Sequence, residues 1–287
     1  MTEMSPLALG GTTYSWLYQE SLINALRHLA NAGITQVEIT TAPPHLQSSA
    51  AGFVERHQLV RELNTLGMHP TSVNPGFLDI NLLSPSNEFR ELSVKAMVSE
   101  LEIAADIGAP LVIAMPGRRH ALSPAPDEAC RWWLDRALHT LVTRGEQLGV
   151  SLALETNPYG YIGSAQQLIE VTDRFDSPWL GIAYDVANTI NVERAADGVR
   201  TAAPRLKIAH MSDTWRDRWA HTSPGRGHVD FGAYADALRE VGYKGPTIYE
   251  LIDMELVGDR LSTDIATFET YGWTTNVFGE VPHATLR

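Results

Sequence analysis

The sequence predicts an α/β protein whose strands close into one barrel, on three observations. Short apolar, β-branched runs alternate with longer amphipathic segments from end to end; the runs number eight; and no linker, low-complexity tract or composition break divides the 287 residues. That length exceeds the usual domain, yet a (β/α)8 TIM barrel uses roughly 250 residues as a single domain. One domain over 1–287 is the expectation.

The expected strands, in order, are 7–13 (LALGGTT), 35–41 (TQVEITT), 69–74 (HPTSVN), 110–115 (PLVIAM), 151–156 (SLALET), 180–186 (LGIAYDV), 206–212 (LKIAHMS) and 246–251 (PTIYEL). Between them, 21–32, 90–107 and 129–148 carry apolar residues at three- and four-residue spacing, as helices packed on one side require. Gly33, Gly67, Gly108 and Gly149 each precede a strand, where a left-handed C-cap ends a helix without steric cost. A doubly wound open sheet is the alternative, but no strand leads into GxGxxG or into GxxxxGK followed by Ser or Thr. The tail from about 270 to 287 is more aromatic than a free tail, and is expected to pack on the barrel or on a neighbouring subunit.

Composition narrows the function. With 22 Lys plus Arg against 34 Asp plus Glu, the net charge of −12 opposes a phosphate backbone, so no nucleic-acid partner is expected. No apolar stretch approaches the roughly 20 residues of a membrane span, and MTEMSPLALGG lacks the basic start and apolar run of a signal peptide. A cytoplasmic protein without a membrane partner is the expectation. Cys130 is the only cysteine, which excludes an intramolecular disulfide, and its setting in EACRWWLDRAL makes it a helix or core residue.

In such a barrel the chemistry gathers where strands end and βα loops begin. Four consecutive expected strands finish on a metal-binding side chain: Glu155 on the fifth, Asp185 on the sixth, His210 on the seventh and Glu250 on the eighth. One carboxylate at a strand end could simply cap a helix or pair with an arginine. Three acids and a histidine at one rim cost several kcal/mol unless a cation neutralises them. The set is mostly hard oxygen, which favours one divalent ion, Mn²⁺ first, with Mg²⁺ or Co²⁺ as alternatives.

The order Glu, Asp, His, Glu, together with SVNPGFLDINLLSP after strand three, AMPG at strand four, HMSD at strand seven and SPGRGHVDF before helix seven, resembles the xylose-isomerase-like barrels. Within them it is most similar to the sugar isomerase/epimerase group that includes D-tagatose 3-epimerase. The resemblance implies Glu155, Asp185, His210 and Glu250 as metal ligands, with Glu155 and Glu250 also the acid/base pair. It implies Arg216, six residues after His210, as a substrate contact, and a homo-oligomer, dimer or tetramer. The chain departs from the group at Asn188, where a histidine is usual, and at Pro158, Tyr159 and Tyr161, where a glutamate is usual. Endonuclease IV shares the barrel but needs three zinc ions. Its further ligand positions fall on Asn74, Met115, Asn188 and Trp219 here, leaving only His221, which reads better as a pocket or loop histidine than as a ligand.

The expected activity is that of an isomerase or epimerase of a ketose or keto-polyol, a small-molecule carbohydrate. One glutamate removes the proton next to the carbonyl, the metal stabilises the enediolate, and the second glutamate returns a proton. A lyase is the alternative, either a dehydratase of 3-dehydroshikimate or keto-inositol type or an enzyme eliminating an aglycone from a 3-keto-glycoside. Asn188 and Tyr161, with Trp215 and Trp219, would suit a larger or more aromatic substrate; the tryptophans could equally form a lid or subunit contact. A non-catalytic barrel subunit is a third reading. Asn188, Tyr161, His221 and Arg216 are therefore candidate substrate contacts. Glu38 on strand two either joins them or anchors the rim, and Arg118-Arg119-His120 is a solvated loop or a phosphate contact.

Overall fold

Side chains of an extended strand alternate between its two faces, and this period of two organises the computed structural model, which describes residues 5–46, 52–76, 79–252 and 260–275. Its strands are β1 (Leu7–Thr12), β2 (Gln36–Thr40), β3 (His69–Asn74), β4 (Leu111–Ala114), β5 (Ser151–Glu155), β6 (Leu180–Asp185), β7 (Leu206–Met211) and β8 (Pro246–Tyr249). Each is parallel to the next, and β8 and β2 both pair with β1, so the sheet closes. The helices are α1 (Leu22–Asn31), α2 (Phe53–Thr65), α3 (Asn87–Ile107), α4 (Asp127–Leu148), α5 (Ala165–Phe175), α6 (Ala195–Ala202), α7 (Phe231–Glu240) and α8 (Leu261–Glu269). This is the expected (β/α)8 TIM barrel, with every strand end within two residues of its sequence position.

Local chemistry sets the helix limits. The side chains of Ser21, Ser86, Ser164 and Asp230 accept backbone N–H groups of the first turns of α1, α3, α5 and α7. Gly108 and Gly149 cap α3 and α4 at φ 78° and 73°, a region that side chains with a Cβ avoid.

Two apolar layers follow from the strand period. Ile113, Ala153, Ala183, Ile208 and Ile248 form a small cluster inside the barrel. The alternate residues, among them Val112, Leu152, Leu154, Ile182 and Ala209, join the larger core between strands and helices. Burying a Leu or Ile side chain contributes about 1.5–3 kcal/mol, so these layers hold the rim in place.

The tail begins with a short strand, β9 (Trp273–Thr274), which pairs with Leu7 and Ala8 of β1. Trp273 is buried against Tyr234 and Phe268. This much of the tail packs on the barrel, and 276–287 lie outside the described residues. Cys130 is buried on α4, as its pattern implied. Among the described residues no helix is long and apolar enough to cross a membrane.

Candidate metal centre and substrate cavity

Moving two residues along a strand keeps a side chain on the same face, so the inward positions after Ala153, Ala183, Ile208 and Ile248 are Glu155, Asp185, His210 and Glu250. The four side chains are buried, and their ligand atoms all lie within 4.8 Å of one another. His210 Nδ1 is 3.0 Å from Glu155 Oε1 and 3.8 Å from Glu250 Oε2. The four strand-end residues singled out in the sequence thus meet at one point.

Neighbouring groups fix each orientation. Asp185 Oδ1 accepts the backbone N–H of Ala187 at 2.8 Å and of Asn188 at 3.4 Å, an Asx-type turn that ends β6. Its other oxygen, Oδ2, is buried and has no hydrogen-bond partner among the described residues. His210 Nε2 contacts Glu38 Oε2 at 3.0 Å, and Glu38 in turn accepts Ser72 Oγ at 2.7 Å and Asn74 Nδ2 at 2.9 Å. Glu38 is fully buried and is not among the residues lining the cavity; its contact is with His210.

Without a cation the cluster is electrostatically strained. Burial pushes the Glu250 carboxyl well above its ordinary value, and Glu155, Asp185 and Glu38 push it further, against the pull of His210. Glu155 is raised for the same first reason, burial. Burial opposes the charged form of His210, but Glu38, Glu155 and Glu250 carry it well above 6.5. Burial also works against the Glu38 carboxylate, yet His210, Asn74 and Ser72 hold it below 4.5. The shifts of Glu155, Glu250 and His210 all favour holding a proton. A divalent cation would neutralise the negative charge, and the unpartnered Asp185 Oδ2 with the oxygen-rich donor set fits one. A cation held there would face His210 Nδ1, leaving Nε2–H to donate to Glu38, the usual carboxylate support of a histidine ligand.

Above the cluster opens a cavity of about 680 Å³. Asn188 and His221 line it, as the sequence suggested. His221 Nδ1 pairs with Ser212 Oγ at 2.9 Å and lies 3.4 Å from Glu250 Oε2; burial lowers its pKa. Asn188 accepts Trp219 Nε1–H at 2.8 Å and donates to the Thr156 carbonyl at 2.9 Å. Trp219 also lines the cavity and meets Tyr159 edge-on, in contact with two loops.

Arg216 and Tyr161 do not reach this cavity. Arg216 donates to the Ile190 carbonyl at 2.8 Å and lines a separate cleft with Asn191 and His228. The Tyr161 hydroxyl points to Asp127, below Arg119, in a groove between the fourth and fifth βα loops. Arg119 is tied to Asp127 at 2.7 Å, so the Arg118-Arg119-His120 run stays outside as well. In their place the cavity receives Arg218, Arg226 and Tyr14. Burial, then Glu250, raises the Tyr14 phenol to about 12, so it stays protonated. Arg226 stands within the PGRG turn visible in the sequence; nothing in the spacing marked Arg218 or Tyr14.

Residues 26–270 match the family described as the xylose isomerase-like TIM barrel. A protein of Methanocaldococcus jannaschii, MJ1311, without an assigned function, is 26% identical over 236 residues, covering 79% of this chain and 78% of its own. L-ribulose-5-phosphate 3-epimerase UlaE of Shigella flexneri is 22% identical over 236 residues, covering 81% and 82%. Among solved structures, a D-tagatose 3-epimerase-like protein superposes with a TM-score of 0.81 at 21% identity, over 92% of this chain and 97% of the other. With a family match that runs from α1 into α8 and beyond, the chain belongs to the xylose isomerase-like TIM barrels.

Proposed function

We propose that the protein is a divalent-metal-dependent isomerase or epimerase that moves a proton next to the carbonyl of a ketose or keto-polyol. The observation that carries this reading is the pair Glu155 and Glu250, two buried carboxyls from strands three places apart that face one histidine and one cavity. The names of related proteins, ketose 3-epimerase and L-ribulose-5-phosphate 3-epimerase among them, support the same class.

Glu155, Asp185, His210 Nδ1 and Glu250 would hold the ion, with Mn²⁺ expected ahead of Mg²⁺ or Co²⁺. When bound, it supplies Lewis-acid polarisation of the substrate carbonyl. The chain's own residues do the rest. One of Glu155 and Glu250 takes the proton from the carbon beside the carbonyl, and the other returns a proton to that carbon or its neighbour. Return to the opposite face inverts the centre; return to the neighbouring carbon, with the hydroxyl proton passing from one oxygen to the other, shifts the carbonyl. Trp219, held by Asn188, lines the cavity, and Tyr14 offers a protonated hydroxyl inside. The reading carries with it a cytoplasmic homo-oligomer, dimer or tetramer, which light scattering and cell fractionation check.

The test is deuterium incorporation. Protein loaded with Mn²⁺ and incubated in D₂O with a panel of keto-sugars should place deuterium next to the carbonyl of at least one of them. No label in any, from protein shown to hold one metal per chain, sinks the proposal.

A further inference from the structure

At the end of β8 the period of two that aims Glu250 into the cavity turns its neighbour Tyr249 the other way, toward α8, where its ring meets Phe268 edge-on. The Tyr249 hydroxyl donates to Asp264 Oδ2 at 2.7 Å. The same oxygen accepts the Ser223 hydroxyl, also at 2.7 Å. A carboxylate accepts and does not donate, so both hydroxyls are committed to this one atom. All three side chains are buried, and solvent does not replace a partner lost here.

Ser223 opens the turn that carries Arg226. The Arg226 N–H returns to the Ser223 carbonyl at 3.3 Å, and Pro224 and Gly225, the latter at φ 82°, fill the central positions of a type II turn. At the far end the Gly227 N–H donates to Asp213 Oδ2 at 2.8 Å, and a Cβ on Gly227 would stand 2.2 Å from the Thr214 carbonyl oxygen. Two buried carboxylates, one from α8 and one from the loop after β7, thus anchor the two ends of the turn. Arg226 lies between the anchors, on the wall of the cavity that Glu250 also lines.

We propose, resting on the function proposed above, that Asp264 is a positioning residue. Its Oδ2 ties the strand end that carries Glu250 to the turn that carries Arg226. The link sets the distance between a proton-transfer group and a guanidinium that binds substrate oxygens away from the carbonyl. Asp264 is not among the residues lining the cavity; it acts through Tyr249 on Glu250 and through Ser223 on Arg226.

The experiment takes two readouts from Mn²⁺-loaded protein. The first is kcat and KM for deuterium exchange over the keto-sugar panel in D₂O. Ser223→Ala should raise KM about tenfold, and Tyr249→Phe should lower kcat about tenfold, each having lost one buried hydrogen bond. In an Arg226→Ala background, Ser223→Ala should add less than about twofold to KM, because the two residues act as one unit. The second readout is trypsin cleavage after Arg226 in the folded protein, measured by mass spectrometry relative to cleavage after Arg118, an exposed arginine of another loop. Cleavage requires the turn to open, so Ser223→Ala and Asp264→Asn should each raise this ratio about tenfold. Ser223→Ala carries the test if Asp264→Asn does not fold. An unchanged cleavage ratio overturns the proposal. So does an unchanged KM in Ser223→Ala, an unchanged kcat in Tyr249→Phe, or a KM effect of Ser223→Ala that persists in full beside Arg226→Ala. A raised ratio with no exchange on any keto-sugar, wild type included, sustains the link and overturns the isomerase reading. An unchanged ratio without exchange overturns both.

Discussion

His210 Nε2 lies 3.0 Å from Glu38 Oε2, and both side chains are fully shielded from solvent. Glu38 comes from β2 and His210 from β7, so the contact spans the barrel interior and fixes which imidazole nitrogen faces the cluster. Replacing Glu38 by Gln keeps the volume but removes the charge, and sets an amide N–H₂ against either Nε2–H or the donors Ser72 and Asn74. Mn²⁺ affinity should fall about 10- to 100-fold, measured by calorimetry, with the circular dichroism spectrum unchanged. Unaltered affinity would show that Glu38 serves packing alone.

Asp185 gives a sharper contrast. In Asp185→Asn the amide oxygen can still accept the Ala187 and Asn188 N–H groups, but the partnerless oxygen becomes an NH₂ without charge. Its negative charge also raises Glu155 and Glu250, and that repulsion disappears. The metal-free variant should therefore melt higher than metal-free wild type, by an amount on the order of 1 kcal/mol, while losing the rise in Tm that Mn²⁺ gives the wild type. Thermal melts with and without Mn²⁺, with elemental analysis for metal content, decide it. A variant less stable without metal and still stabilised by Mn²⁺ contradicts the assignment.

How much of this site the sequence revealed follows from chain geometry. Glu155, Asp185, His210 and Glu250 were legible because each sits at a strand end and a period of two aims all four inward. Glu38 obeys the same period, but its partner is 172 residues away, and nothing local tells a rim anchor from a substrate contact. Loop residues were legible only in part: Asn188 and His221 line the cavity, while Arg216 and Tyr161 do not. Asp213 accepts the N–H groups of Thr214, Gly227 and Val229, folding the loop after β7 so that Arg216 turns outward while Arg218 and Arg226 reach the cavity. Tyr161 is misplaced for the same reason: a residue six positions past a strand end has no fixed direction until the loop's hydrogen bonds are known.

Stability of the metal-free protein should fall as pH rises. Glu155 and Glu250 are raised in the folded state, so above about 4.5 the folded chain binds more protons than the unfolded one, and stability drops with pH through that range. His210 is raised as well; its contribution is fully present below 6.5 and is lost as pH climbs through its higher folded value. Glu38 is lowered, so its opposing effect is confined to pH below 4.5, and the opposing effects of His221 and His45, both lowered by burial, fade above 6.5. The gain in Tm on adding Mn²⁺ should accordingly grow between pH 6 and 8 in buffers that do not bind the metal. A gain that shrinks over this range would mean that the protons and the ion do not compete for the same groups.

Glu155→Gln and Glu250→Gln separate ligation from proton transfer. Each amide keeps an oxygen that can face a cation but cannot take a proton. With Mn²⁺ raised to saturate both variants, deuterium exchange into a competent keto-sugar should fall about 10²- to 10⁴-fold in kcat, the ordinary contribution of a positioned acid or base. Full exchange in one variant would remove that glutamate from the acid/base pair and leave it a ligand only.

Trp219 and Arg216 lie three residues apart in the same loop yet face different cavities, which allows a paired comparison. Trp219→Phe keeps an aromatic face toward Tyr159 and His221 but deletes the Nε1–H that Asn188 Oδ1 accepts. That oxygen is then left buried beside the substrate, a loss of about 1–3 kcal/mol that should appear as a KM increase of about 5- to 100-fold with a smaller change in kcat. Arg216→Ala removes a bond to the Ile190 carbonyl on the far side of the loop. Its kcat/KM should stay within about twofold of wild type, as exposed positions away from a site usually do. The reverse pattern, a silent Trp219→Phe and a crippled Arg216→Ala, would mean that the loop turns over when substrate binds and brings Arg216 to the position the family resemblance gives it.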